Sequence, residues 1–194
     1  MRAPKIILFL LFCWLTQSAN AQVDTDISTI FTSIIKTKRK PIVLPELDTF
    51  SVWRIKEELK PNIYIIDLKQ MIFEERNTDT LNKVDTLKIT IPERVYIDSC
   101  LAALLTFQWT KPRLEGIGLS AFTLPGTEKA KKIVPRWRKG TYTLMPPIFI
   151  RNNSLCFFFY RYSCGPLCAN GSLSIWKKQN KRWVYWWNIY FYSA

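Results

Sequence analysis

The stretch from Ile148 to Ser193 constrains this chain most, because aromatic and branched apolar residues come in short runs divided by turn residues. Ile148-Phe149-Ile150 is followed by Arg151-Asn152-Asn153, and then by a run from Leu155 to Ser163 that contains Phe157-Phe158-Phe159. That run is too aromatic for a surface loop and too short for most helices. If it is extended, Cys156, Phe158, Tyr160 and Tyr162 share one face, and Phe157, Phe159 and Arg161 share the other. The runs from Ser172 to Lys178 and from Arg182 to Tyr192 meet through Gln179-Asn180-Lys181, which reads as a hairpin turn. Together these runs predict an antiparallel meander with apolar residues on both faces. Such a sheet needs cover, and helices are the simplest source.

Two helices are predicted upstream. Ile27, Ile30, Phe31, Ile34 and Ile35 fall at helical spacing, with Lys36 and Lys38 at the C-terminal end and Pro41 as a stop. The stripe is short and reads as core packing rather than as a membrane-surface helix. Thr90 to Pro92 opens the second helix, with Glu93 at the positive dipole end and Cys100, Leu101, Leu104 and Leu105 as its inward face. Between them, Trp53 to Leu59 suggests a helical turn and Ile63 to Leu68 a strand, while the polar residues 74–86 read as a loop. Residues 117–124 read as a strand, and Pro125 to Gly140 as a basic loop around Trp137. There is no internal repeat or linker. The expected architecture is one α+β domain, with an antiparallel sheet of about four to six strands packed by two helices.

Met1 to Ala21 has the layout of a secretory signal: Arg2 and Lys5, an apolar run, then Ala19-Asn20-Ala21. The expectation is cleavage before Gln22, a single domain over residues 22–194, and a periplasmic or extracellular location; an uncut leader would make it an anchor. The apolar run is shorter than a bilayer span. Lys and Arg number 28 against 15 Asp and Glu, a net charge of +13 that draws a chain to anionic surfaces and also keeps it in solution.

Histidine is absent, which closes off Ser-His-Asp and Cys-His nucleophile activation, imidazole metal ligation and histidine pH switching. With six glycines, none in a phosphate-cradling pattern, nucleotide binding is also disfavoured. No cofactor is expected. Paired carboxylates remain possible catalysts, with Asp67, Glu74, Glu75, Asp98 and Glu115 as candidates, but sequence supplies no pairing, and solvated surface acids are the simpler reading.

The cysteines beyond the leader are Cys100, Cys156, Cys164 and Cys168, an even set that implies disulfides in an exported chain. Cys164 and Cys168 are spaced wrongly for a thioredoxin-type pair and precede a strand, so a structural disulfide is favoured over redox chemistry. Cys100 to Cys156 would then pin the second helix to the sheet. Basic and aromatic residues interleave at Trp137-Arg138-Lys139 and from Trp176-Lys177-Lys178 to Arg182-Trp183. Rings that stack beside cations make a workable surface for an anionic partner, against the plainer reading of core rings and a solvated hairpin tip.

Pro147-Ile148-Phe149, Cys164-Gly165-Pro166-Leu167-Cys168, Gly171, Lys177-Lys178, Asn180-Lys181 and Trp183 together resemble a family of exported bacterial domains of uncharacterised function. The resemblance covers the chain from Pro147 onward and, more faintly, residues 92–107. Such sequences usually carry glycine where Lys181 stands, which leaves the turn type open. The family lends no activity. The function expected is a non-enzymatic binding domain with a basic-aromatic face for an envelope glycan or another exported protein. A carboxylate-dependent hydrolase of envelope polymers is the alternative, and a thiol-redox protein a weaker one.

Overall fold

A computed structural model describes residues 28–31, 34, 42–67, 84–116, 124, 140–165 and 168–193. Residues 28–31 and 34 are helical (α1). They are followed by β1 (Ile42–Val43), α2 (Thr49–Glu58), β2 (Ile63–Asp67), β3 (Val84–Lys88), α3 (Ile91–Ala103), α4 (Lys111–Gly116), β4 (Thr141–Leu144), β5 (Ile148–Ile150), β6 (Leu155–Gly165), β7 (Cys168–Gln179) and β8 (Arg182–Ser193). The class is α+β, as the pattern of runs implies.

β5 to β8 form the expected antiparallel meander. The full sheet has six strands in the order β1-β4-β6-β7-β8, with β5 also paired to β6, while β2 and β3 form a separate antiparallel pair. β4 borders Tyr160 to Ser163 and β5 borders Leu155 to Phe157, so the two lie end to end along one edge of β6. β1 joins β4 in parallel, which makes the sheet mixed. β4 was not anticipated, although Thr141 to Leu144 alternates as a strand should. β3 corrects the loop expected over 74–86, whose last residues begin a strand; residues 74–83 lie outside the described residues, as do all of 117–139 except Leu124.

Alternation along the meander builds two cores, one on each side of the sheet. Leu155, Phe157, Phe159, Leu173 and Ile175 meet Val52, Ile55 and Leu59 from α2 and its end, Ile97, Leu101 and Leu104 from α3 and its end, and Tyr64, Ile66 and Leu87 from the two-stranded sheet. On the other face, Cys156, Phe158, Trp176 and Trp183 meet Ile30, Phe31, Trp109 and Leu114. Phe31 sets its ring edge-on to Phe158 at 4.8 Å, and the Trp109 indole N–H donates to Leu144 O at 2.8 Å. Full burial of rings such as Phe157 and Phe158 contributes about 1.5–3 kcal/mol each. The two expected helices do cover the sheet, one on each face, and α2 and α4 add to them. Leu105, expected inward, is exposed, and Ile97 takes that role.

Both complete long helices start on side-chain caps. Asp48 accepts from the Ser51 N–H at 2.8 Å and from the Ser51 hydroxyl at 2.7 Å. Burial pushes the Asp48 carboxyl up, but the bonds from Ser51 and the Arg161 guanidinium, 3.1 Å away, hold it below the usual carboxylate range. Thr90 and Glu93 form a capping box at α3, with Pro92 in its first turn.

The expected Cys100–Cys156 disulfide is not formed. Cys100 packs against the first core and Cys156 lies within the second, so the sheet stands between them. A polar clamp ties α3 to the sheet instead. After β5 the chain turns through Arg151, Asn152 and Asn153, at φ 53°, 52° and 59°. This left-handed turn, easier for asparagine than for arginine, delivers the Arg151 guanidinium to Glu93 at 3.0 Å and to Lys88 O at 2.6 Å.

Candidate basic-aromatic hairpin tip

The β7–β8 hairpin collects most of the described residues that the sequence singles out. Gln179 pairs with Arg182, leaving Asn180 and Lys181 as the two turn residues. Their φ values, 47° and 63°, are both positive, the signature of a type I′ turn, whose twist matches that of the strands it joins. That settles the turn type left open by Lys181: the turn forms with a lysine where glycine would sit without strain.

Register from this turn sorts the side chains between the two faces. Lys178 lies opposite Trp183, and Lys177 opposite Val184, two residues before Trp186. Lys178 Nζ stands 5.6 Å from the centre of the Trp183 ring, and Lys177 Nζ stands 4.7 Å from that of Trp186. Each contact adds about 0.5–1 kcal/mol at an exposed site. Lys181 and Arg182 are exposed at the turn itself. Among the described residues, ion pairs engage Arg54, Lys60, Arg94, Lys111, Arg151 and Arg161; Lys177, Lys181 and Arg182 carry none. Cations therefore border both faces of one sheet corner, with Lys177 and Lys178 each seated over a ring.

The rings divide between core and surface. Trp176 is core: it is 6% exposed, and its indole N–H donates to Ser174 Oγ at 2.9 Å. Trp183 is 7% exposed, packed on Phe149 at 5.4 Å, and offers only a ring face to Lys178. Its indole N–H is buried and has no hydrogen-bond partner among the described residues. Trp186, half-buried beneath Lys177, is the ring that sequence reading missed. Counting back from the turn would have found it, since residues 184 and 186 share a face with Lys177. Trp137, Arg138 and Lys139 lie outside the described residues.

Among the described residues, the remaining candidates show no catalytic geometry. Asp98 pairs with Arg94 at 3.4 Å and Glu115 with Lys111 at 3.5 Å. Asp67 ends β2, while Glu74 and Glu75 lie outside the described residues. Burial pushes Glu93 up, but the Thr90 N–H, Arg151 and the Thr90 hydroxyl hold it below the usual range, the opposite of what a general acid needs. Cys164 and Cys168 are disulfide-bonded, Cα atoms 5.2 Å apart, and close the β6–β7 hairpin. A strand lies on either side, so no helix dipole acts on either sulfur. Against all of these features, no family model, curated protein or solved structure matches the chain.

Proposed function

We propose that this chain is an exported, non-enzymatic binding protein that presents its β7–β8 tip to an anionic partner, an envelope glycan or another exported protein. The observation that carries this reading is the seating of Lys177 and Lys178 over the Trp186 and Trp183 rings, beside Lys181 and Arg182. The Trp186 ring beneath the Lys177 ammonium orders it without cancelling its charge, so that cation stays available to an incoming anion. Lys181 in the left-handed region supports the reading. Strain of this kind collects at functional positions, and here it keeps a cation at the extreme end of the hairpin. The positive charge of the whole chain favours the same class of partner. Export rests on the leader pattern and is consistent with the Cys164–Cys168 disulfide.

The test is affinity for a sulfated glycan and for polyglutamate, measured as salt is raised, in the native chain and in Lys177→Ala and Trp186→Ala. Binding should weaken steeply with salt, and each substitution should reduce it. Unchanged affinity in both variants would remove the tip from consideration.

A further inference from the structure

On the sheet face that α2 and α3 cover, β8 carries a row of half-buried rings: Trp186, Trp187, Tyr190 and Tyr192. Two register shifts in its ladder with β7 each insert a residue, Trp186 and Ile189. Trp186 and Trp187 therefore both pack toward this core instead of alternating. Three cations stand along the row. Lys177 Nζ lies 4.7 Å from the centre of the Trp186 ring, and the Arg54 guanidinium lies 4.2 Å from that of Tyr190. Arg161 shares a face of β6 with Phe157 and Phe159, and stands opposite Gly171, which stands opposite Tyr192. A side chain at Gly171 would collide with the Tyr192 ring, so glycine lets that ring lie across β7 toward Arg161. Burial pushes the Tyr192 hydroxyl up, and the Arg161 guanidinium pulls it the other way. From Trp186 to Tyr192 the row is at most about 20 Å long at the usual strand rise.

The three cations differ in their company. Arg54 pairs with Glu58 at 2.9 Å and Arg161 with Asp48 at 3.1 Å, whereas Lys177 lies over a ring. The two carboxylates remain 25% and 42% exposed, so a ligand can reach them. A polymer charged at every repeat would be repelled by Glu58 and Asp48. A chain of hydroxyl-bearing units with sparse anions suits the same groups. Its hydroxyls donate to the carboxylates and accept from guanidinium N–H groups, while an anion rests on Lys177. Ring faces are also on offer. Phe50 and Trp53, on α2 beside Arg54, are 61% and 51% exposed with their centres 6.0 Å apart, a pairing that contact surfaces favour. Ile30, Phe31 and Ile34 of α1, with Leu124, pack on the opposite face of the sheet.

We propose that this row is the binding track of a linear, hydroxyl-rich polysaccharide that carries sparse carboxylates. The chain lies along β8 from Lys177 toward Arg161, with an acidic sugar on Lys177. Further sugars bond to the Arg54–Glu58 and Arg161–Asp48 pairs and stack on Phe50 and Trp53 where α2 borders the row. This rests on the reading of the tip as an anion-binding surface, and narrows the partner to a glycan.

The test is a residue-resolved NMR titration of the native chain with hyaluronan oligosaccharides, whose disaccharide unit carries a single carboxylate. Polyglutamate and a sulfated glycan are run beside them. Hyaluronan should shift the amides of Trp186, Trp187, Tyr190 and Tyr192 as well as those of the tip. Its affinity should rise with oligosaccharide length until the chain spans the row, and then level. Trp53→Ala and Tyr192→Leu should each weaken hyaluronan binding about fivefold or more and leave polyglutamate binding at the tip unchanged. The shift map on the native chain decides the matter even if Tyr192→Leu does not fold. Hyaluronan shifts confined to the tip overturn the track. So does polyglutamate that traces the same row with equal affinity, because sparse charge would then confer no selectivity. If polyglutamate or the sulfated glycan binds at Lys177, Lys181 and Arg182 while hyaluronan moves nothing beyond them, only the track falls. If no probe perturbs the tip, the anion-binding reading falls and the track with it.

Discussion

Lys181→Gly separates what the tip does for folding from what it does for binding. Lys181 sits at φ 63°, in a region that costs an L-residue about 1–2 kcal/mol and glycine almost nothing. Glycine gives back about 0.5–1 kcal/mol through the greater freedom of the unfolded chain. The net expectation is a gain of about 0.5–1 kcal/mol. In a chain of this length that raises Tm by about 1–4 °C. The same change deletes one tip cation. By the counterion-release rule, the slope of log affinity against log salt should then become shallower by about 0.9 if Lys181 touches a polyanion. Thermal unfolding and a salt titration against a sulfated glycan read the two effects from one preparation. A fall in Tm would refute the turn assignment. An unchanged salt slope would refute contact at the turn.

Arg151→Ala removes the bonds to Glu93 and Lys88 O that hold α3, and should cost about 1–2 kcal/mol in urea unfolding, with no effect on tip binding. Phe158→Ala opens a cavity in the second core and should cost about 3–5 kcal/mol by the same assay. Asp48 and Glu93 have depressed folded pKa values, so their stabilisation is present above about pH 4.5 and is lost as pH falls below it. Urea midpoints should decline there, and less so in Glu93→Gln. At the alkaline end, burial pushes Tyr64 and Tyr142 up to about 12, so their contribution holds below about pH 10 and fades as pH climbs toward that value. Mass spectrometry after native alkylation without reduction should label Cys100 and leave Cys164 and Cys168 joined.

The meander was legible because its signal is local. Period-two alternation from Leu155 to Ser163 and two-residue turn geometry act within a few residues, and both faces of β6 came out as read. The clamp on α3 was not legible. It depends on Arg151 meeting Glu93 across 58 positions of sequence, and the charges alone do not single out that pair. The cysteine count suggested a covalent link in its place, because even numbers imply pairs whereas only the fold puts a sheet between Cys100 and Cys156. β1, two residues long and parallel to β4, lacked any periodicity to detect. At the tip, charge and ring content were visible in sequence. The separation of core Trp176 from half-buried Trp186 required the register that the turn imposes.

The most direct measurement compares two variants of equal charge on a polyanion column in one salt gradient. One replaces Lys177, Lys178, Lys181 and Arg182 with alanine; the other replaces Lys56, Lys60, Lys88 and Arg113, which belong to α2 and the segment after it, to β3 and to α4. The account predicts that the tip variant elutes at markedly lower salt while the control stays near the native position. Equal shifts in the two variants would mean that net charge alone governs binding, and would contradict a specific surface at the β7–β8 tip.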